Sequence, residues 1–353
     1  MPALLAPTFD CDFPPGARLG VLTTEPLDRI LDYLAPESGC SVGDFGDVPL
    51  GPRKVLGVVG GEGAGDYDAA KLRRVGRVLD APPMREELRN FLGRAADYTL
   101  TPMPAMLRLA TRAPGLSDPP SMRTVYRLGQ GEPSRMTPAR TRVLDVLDAM
   151  SDQSFTLKEL ADHAGVTPSV VTGLVKLGAV REEESPRDGP YPRLDPMLPG
   201  VELSEAQAEV AGQLRASIQA GSYAAALLKG VAGSGNTEVY LEAVAECLSE
   251  GRQAVVLLPE IALTGEFLAR VEARFGARPA EWHSGVTMTE RRRCWKMVAS
   301  GDAQFVVGAR SALFLPFRDL GLVVVDEEHD TSYKQEDGVL YNARDMTVLR
   351  ASL

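Results

Sequence analysis

Cysteine chemistry is nearly absent from this chain. Its four cysteines, Cys11, Cys40, Cys247 and Cys294, lie far apart and form no C-x-x-C pair. The sequence therefore encodes no zinc site, and scattered buried thiols in a reducing cytosol are the plain reading. Long apolar runs are missing too. None approaches the ~18 residues that a membrane span needs, and the N-terminus has no basic-then-apolar leader. Positive charge is in deficit, with 38 Lys and Arg against 48 Asp and Glu, a net −10. That excludes a surface coated for nucleic acid but leaves room for a local basic groove, because charge acts within a Debye length of ~8–10 Å. What is present suits a cytoplasmic multidomain protein. The 353 residues exceed an ordinary domain, and an apolar fraction of 44% supplies two or three cores.

One further absence is a single lysine. Tyr223–Leu228 reads as a short apolar strand running into Gly230-Val-Ala-Gly233-Ser234-Gly235-Asn236-Thr237, with an amphipathic helix following from Glu238. Such a loop turns backbone N–H groups toward an anion at a helix N-terminus. The phosphate-loop pattern G-x-x-x-x-G-K-[ST] needs a lysine after the last glycine. Here that position is Asn236, which is neutral and short. A second stretch, Leu322–Val325, reads as a buried parallel strand ending in Asp326-Glu327-Glu328-His329. Acids at such a strand end hold Mg²⁺ and orient water, which makes Asp326 and Glu327 the catalytic candidates. Mg²⁺ would sit between Thr237 and Asp326.

In chain order, residues 1–20 are Pro- and Gly-rich, a flexible lead-in. Residues 21–114 read as a small β-rich domain with one appended helix. Val21–Thr23, Leu31–Leu34 and Lys54–Val59 are its strands, the turn-rich piece Gly39–Gly51 separates them, and the helix runs from Met84 to Tyr98. Arg73, Arg74 and Arg77 are either a solvated face or phosphate contacts. Residues 115–134 read as a linker. Residues 135–186 give a helix after Thr137-Pro138, a helix over Leu157–His163, a third from Thr167-Pro168 to Leu177, and a hairpin or wing from Gly178. That order is a winged helix. Its third helix carries only Lys176 as a base and its wing is acidic, which favours packing or fork geometry over base reading. His163 is read as a helix-end residue. Residues 187–200 form a Pro-rich tether. Over 201–353 strands and helices alternate, the pattern of a parallel α/β lobe. The fold class is thus multidomain α/β.

The motifs GVAGSGNTEVYL, LLPEIALT, HSG, GARSALFLPF and DEEHDTSYKQEDGVLYNARD resemble the first RecA-like lobe of superfamily 2 helicases. More closely, they resemble the primosomal protein N′ (PriA) family of bacterial replication-restart helicases. LDYLAP, VPLGPRKVLGVV and KLRRVGRVLDAPP resemble that family's 3′-end-binding domain. The resemblance covers residues 21–353 in collinear order. It implies a pocket for a nascent 3′ end at Leu31, Asp32, Gly51 and Arg73, with Asp32 accepting a hydrogen bond from the 3′-hydroxyl. Leu31 departs from the aromatic residue usual there. It also implies DNA contacts at Arg310, Tyr333, Lys334 and Tyr341, the last three in an aromatic-rich loop coupling DNA to the nucleotide site; ordinary loop packing is the plain alternative for those aromatics. Implied partners are forked and single-stranded DNA with 3′ ends, single-stranded-DNA-binding protein and proteins that load the replicative helicase.

Two departures from the family pattern carry weight. Asn236 replaces the loop lysine, and the chain stops at Leu353 inside the first lobe. The second lobe with its arginine finger, and the family's zinc-binding cysteines, lie outside this chain. A transition-state arginine is worth ~10³–10⁵ in rate by analogy with other NTPases. The expectation is a fork-binding platform with a vestigial Asp326–Glu327 pair that binds Mg-ATP weakly. The alternative is an ATP-dependent 3′→5′ DNA helicase whose loop tolerates asparagine.

Overall fold

The structure, a computed structural model, describes residues 12–353 apart from 28, 66, 114, 117, 119–121, 134, 151–153, 187–188 and 231–234. The chain divides into two compact units, Met1–Ser117 together with Pro190–Leu353, and Asp118–Gly189.

The larger unit begins with a five-stranded antiparallel sheet. Its strands are β1 (Arg18–Thr23), β2 (Leu31–Leu34), β3 (Phe45–Leu50), β4 (Arg53–Glu62) and β5 (Arg77–Val78), in the order β2-β1-β4-β3-β5. Strand β3 falls where the sequence suggested only turns. Its Gly46 and Pro49 read as turn residues, yet β4 and β5 pair with it on both edges, and that pairing overrides weak local propensity. Gly51, at φ +60°, supplies the reversal between β3 and β4. The lead-in is shorter than expected. Residues 1–11 lie outside the described residues, whereas Phe13 is buried and exchanges backbone hydrogen bonds with Cys40. Helices α1 (Glu86–Thr99) and α2 (Met103–Ala110) follow.

The smaller unit contains β6 (Met122–Leu128), α3 (Pro138–Ala149), α4 (Leu157–Ala164), α5 (Pro168–Lys176) and β7 (Val180–Pro186). Thr137 caps α3 by accepting from the Arg140 amide, and Thr156 with Glu159 forms a capping box on α4. Val143, Leu147, Leu160, Val171 and Leu174 make the core. Strand β7 pairs not within a local hairpin but with β6, which lies in the stretch read as a linker. The glycines that suggested a turn, Gly129 and Gly131, run against the backbone of Gly178 too closely to admit a Cβ. His163 closes the last turn of α4, edge-on to Phe155 at 5.2 Å.

The rest of the larger unit is layered α/β. It comprises α6 (Glu205–Gln219), α7 (Asn236–Ser249), β8 (Gln253–Leu257), α8 (Gly265–Phe275), β9 (Ala280–Trp282), α9 (Met288–Ser300), β10 (Phe305–Gly308), β11 (Leu320–Val325), the short pair β12 (Lys334–Gln335) and β13 (Tyr341–Asn342), and α10 (Ala343–Ala351). Strands β11-β8-β10-β9 form a parallel sheet in that order. The strand expected over Tyr223–Leu228 is not formed. Residues 222–230 are irregular and almost wholly exposed. Ala224-Ala225-Ala226 offers little side chain to pack on a pleated surface, and every residue of the edge strand β11 stays only half-buried.

One core joins the two halves of this unit. Phe91 meets Phe314 at 5.4 Å and Phe45 meets Trp295 edge-on at 5.2 Å. The Trp295 indole donates to the carbonyl of Ala110 at 2.7 Å. Arg350, 2% exposed, ion-pairs with Glu87 at 3.0 Å. The β-rich N-terminal region and the α/β lobe therefore share a seam built by α1 and α2.

Candidate DNA and nucleotide sites

The residues implied as a 3′-end pocket meet in part. Arg73 donates to the carbonyl of Gly51 at 2.7 Å, and Tyr33 beside them donates to that of Pro49 at 2.9 Å. Burial raises the Tyr33 phenol, with the Arg73 charge pulling the other way. Asp32 sits on the opposite face of β2 from Leu31 and Tyr33, because successive strand residues alternate. Its carboxylate accepts from the amides of Ala64 at 2.9 Å and Gly65 at 2.8 Å, lies 3.8 Å from Arg18, and is 4% exposed. Asp32 thus clamps the 63–65 loop, and each oxygen keeps a lone pair for a further donor.

The three arginines separate clearly. Arg74 pairs with Glu37 and Arg77 with Asp47 at 3.3 Å, whereas among the described residues Arg73 meets a carbonyl and no carboxylate. Of the three, Arg73 alone has no carboxylate beside it among the described residues. Arg73→Ala is therefore expected to flatten the salt dependence of fork binding by about one charge, ~0.9 in the log–log slope on duplex DNA. Arg74→Ala is expected to change it less, since Glu37 already offsets that charge. Titrations of both variants across ionic strength check this, and equal slopes for Arg73→Ala and the unmodified chain would overturn it.

At the nucleotide site, Gly230 is exposed, and Gly233 and Ser234 lie outside the described residues. Gly235, at φ +77°, is the N-cap of α7, and Asn236 is that helix's first residue. A Cβ at Gly235 would collide with the Gln207 side-chain amide, so Gln207 packs directly on the end of the loop. One turn into α7, Tyr240 donates to the Asp326 carboxylate at 2.9 Å. Burial, with the Asp326 charge, raises the Tyr240 phenol strongly, against a lowering hydrogen bond from Thr237. Thr237, Tyr240 and Asp326 are thereby strung together across the cleft between α7 and the end of β11. Glu327 follows at φ +48°, a left-handed backbone that a non-glycine residue adopts only under constraint. Its amide donates back to Asp326 at 3.0 Å, and its carboxylate faces the exposed His329 at 3.6 Å.

The aromatic-rich loop is tied to this acid. Tyr333 is 1% exposed and donates to the carbonyls of Leu257, at 2.9 Å, and Asp326. Its phenol is raised by burial first and then by the Asp326 charge. Tyr341 is buried edge-on against Phe314 at 5.0 Å. Burial pushes its phenol up to about 12, with Arg310 and Arg112 pulling down. Both tyrosines hold the loop from inside. The surface belongs to Lys334, paired with Glu336 at 2.9 Å, and to half-buried Arg310, which donates to the Ser332 carbonyl at 2.6 Å. Sequence reasoning missed Tyr240 and Gln207. Each had a signal: Tyr240 falls three residues after Thr237 on one helical face, and Ser204-x-x-Gln207 is a capping box.

A loop capping a helix against an acid-ended parallel strand, beside a five-stranded antiparallel sheet, is a helicase-like arrangement. A DEAD/DEAH box helicase family model matches residues 205–351, and a 3′DNA-binding domain (3′BD) model matches residues 20–112. Among curated proteins the chain is similar to replication restart protein PriA from several bacteria, and it is a relative of that family. The Bacillus subtilis protein is 27% identical across 94% of this chain, the Synechocystis protein 33% across 86%, and the Rickettsia felis protein 50% over 126 residues. The chain spans about half of the first of these proteins, 34% of the second and 19% of the third.

Proposed function

We propose that this chain recognises forked DNA with free 3′ ends during replication restart and serves as a platform for primosome assembly, without driving unwinding by ATP hydrolysis. The observation that carries the reading is Asn236 at the head of α7, where the phosphate-loop pattern needs a lysine. The irregular, mostly exposed segment 222–230 ahead of the loop supports it, since no strand forms there to lead into a phosphate loop. The remaining groups fit a weakly held Mg-nucleotide. The Thr237 hydroxyl and the Asp326 carboxylate are hard oxygen donors suited to Mg²⁺, and the backbone at Gly235 faces the helix N-terminus. Such a nucleotide would supply a charge-dependent signal between α7 and the aromatic-rich loop through Tyr240, Asp326 and Tyr333. The same trio favours the second reading, an ATP-dependent 3′→5′ helicase.

In this scheme Arg73 and Gly51 hold the terminal nucleotide, Asp32 reads its 3′-hydroxyl, and Arg310 and Lys334 meet the strand at the lobe. The Asp118–Gly189 unit acts as a winged helix that sets fork geometry. The three consecutive glutamates of β7, Glu182–Glu184, and the lone Lys176 at the end of α5 suit that role better than base reading. Single-stranded-DNA-binding protein and loaders of the replicative helicase are the partners such a platform serves.

Forks with a 3′-hydroxyl at the junction are expected to bind roughly tenfold more tightly than forks ending in a 3′-phosphate, the scale of one charged hydrogen bond. Asp32→Ala should erase the preference while leaving the salt slope unchanged. Equal affinity of the unmodified chain for both ends would sink the pocket assignment. DNA-stimulated ATP hydrolysis by the natural protein would favour the helicase reading instead.

A further inference from the structure

Where α1 turns into α2, the larger unit has an open cavity of 830 Å³. One wall is Thr99–Pro102 with Arg108 and Arg112; the other is the tip of the aromatic-rich loop, Gln335 and Asp337–Leu340. The lip of this cavity is unusual. Leu100 closes α1 in the left-handed conformation, φ 51° and ψ 39°, a position that favours glycine, and its side chain is 92% exposed. The left-handed turn caps α1, with the Leu100 and Thr101 amides donating to the carbonyls of Asp97 and Ala96, but any cap residue could do that, and the exposed isobutyl side chain adds nothing to the fold. Leu340 on the facing wall is also exposed. Arg108 and Arg112 are exposed, with no ion pair to either among the described residues, and Asp337 is the one carboxylate in the lining.

Apolar lips over two exposed guanidiniums suit an unpaired nucleotide, whose base is apolar on its faces and whose phosphate is anionic. We propose that this cavity seats unpaired deoxynucleotides of the DNA strand, with Leu100 and Leu340 flanking a base and Arg108 and Arg112 holding the adjoining phosphates. The site lies between the 3′-end domain and the aromatic-rich loop, so a strand seated there touches both halves of the seam. The inference rests on the DNA-binding reading above and adds a contact surface outside the 3′-end pocket.

Leu100→Gly separates binding from folding. Glycine relieves the left-handed backbone, so the thermal midpoint should hold or rise, while affinity for a fork with an unpaired arm should fall about fivefold through lost apolar contact. The same variant should lose nothing on an arm whose unpaired positions are abasic. Arg108→Gln with Arg112→Gln should flatten the salt slope by about 1.4, two phosphates at ~0.7 each on a single strand. The preference for a 3′-hydroxyl should survive in all these variants. If the unmodified chain discriminates 3′ ends but Leu100→Gly binds the unpaired arm as well as it does, the seat is overturned and the 3′-end reading stands. A Leu100→Gly loss that is equal on abasic DNA, or accompanied by a lower midpoint, also overturns the seat. Failure of the unmodified chain to bind any of these DNAs would remove both.

Discussion

Arg350→Met is expected to destabilise the larger unit by about 3 kcal/mol, the lower end of what breaking a buried ion pair costs. The guanidinium is enclosed on every side. Nε and Nη2 meet Glu87 at 3.0 and 3.4 Å, Nη1 donates to the carbonyls of Leu313 and Leu315, and the rings of Phe91 and Phe317 lie 5.4 and 5.5 Å away. Burial holds its pKa below the ordinary arginine value, and Glu87 pulls it back up. Methionine fills the stem's volume, so little cavity opens. What it leaves behind is the Leu313 carbonyl without its donor and a carboxylate without its guanidinium, while the Leu315 carbonyl keeps the Phe317 amide at 2.9 Å. Glu87 is partly exposed and recovers some hydration, which is why the lower end of the range applies. The thermal midpoint should drop by roughly 6–12 °C for a unit of this size. Arg350→Lys should recover little, because an ammonium cannot fork between Glu87 and two carbonyls. A drop below about 2 °C, near what surface substitutions give, would show that the seam does not depend on this residue.

The second large effect is a gain. Asn236→Lys should tighten nucleotide binding by about one to two orders of magnitude, since a charge-assisted contact contributes roughly 1.5–3 kcal/mol. The substitution falls at the first residue of α7, where a cation opposes the helix dipole by about 0.3–1 kcal/mol. The thermal midpoint of both forms, recorded beside the titration, separates that cost from the affinity change. Titration of both forms with a fluorescent nucleotide, with and without fork DNA, is the measurement. Unchanged affinity would mean that the loop no longer forms a phosphate cradle and that the lobe is scaffold alone.

The contrast between Asn236 and Tyr223–Leu228 shows where the sequence was legible. The helix start at Asn236, the acid that follows β11 and the capped helix starts of the smaller unit were readable because they rest on local chemistry, whereas Gly233 and Ser234 of the loop lie outside the described residues. Tyr223–Leu228 looked like a strand because it is apolar and precedes a glycine-rich loop, but apolarity names no pairing partner. Strand β3 and the β6–β7 ladder failed in the other direction. Their residues look like turn and linker, and only partners far along the chain make them strands. Asp32 was singled out as an acceptor for a 3′-hydroxyl, but its hold on the Ala64 and Gly65 amides could not be read, because no sequence spacing tells which loop folds over a strand. Trp295 and Arg350 went unread for the same reason. Their partners at Ala110 and Glu87 lie 185 and 263 residues away.

Those separations set a timetable for synthesis. A ribosome adding about 5–20 residues per second needs roughly 10–40 s to travel from Ala110 to Trp295. The strands and both helices of the N-terminal region emerge early and pack on one another in part, but the remaining apolar surface of α1 and α2 stays uncovered until α9 and α10 leave the tunnel. For that interval Phe91, Met106 and Leu107 are open to solvent and to neighbouring chains, and trigger-type holdases would find their substrate there. A message that slows decoding between those points would lengthen the exposure, so the yield of folded protein should track elongation speed across the 110–295 span more than at either end.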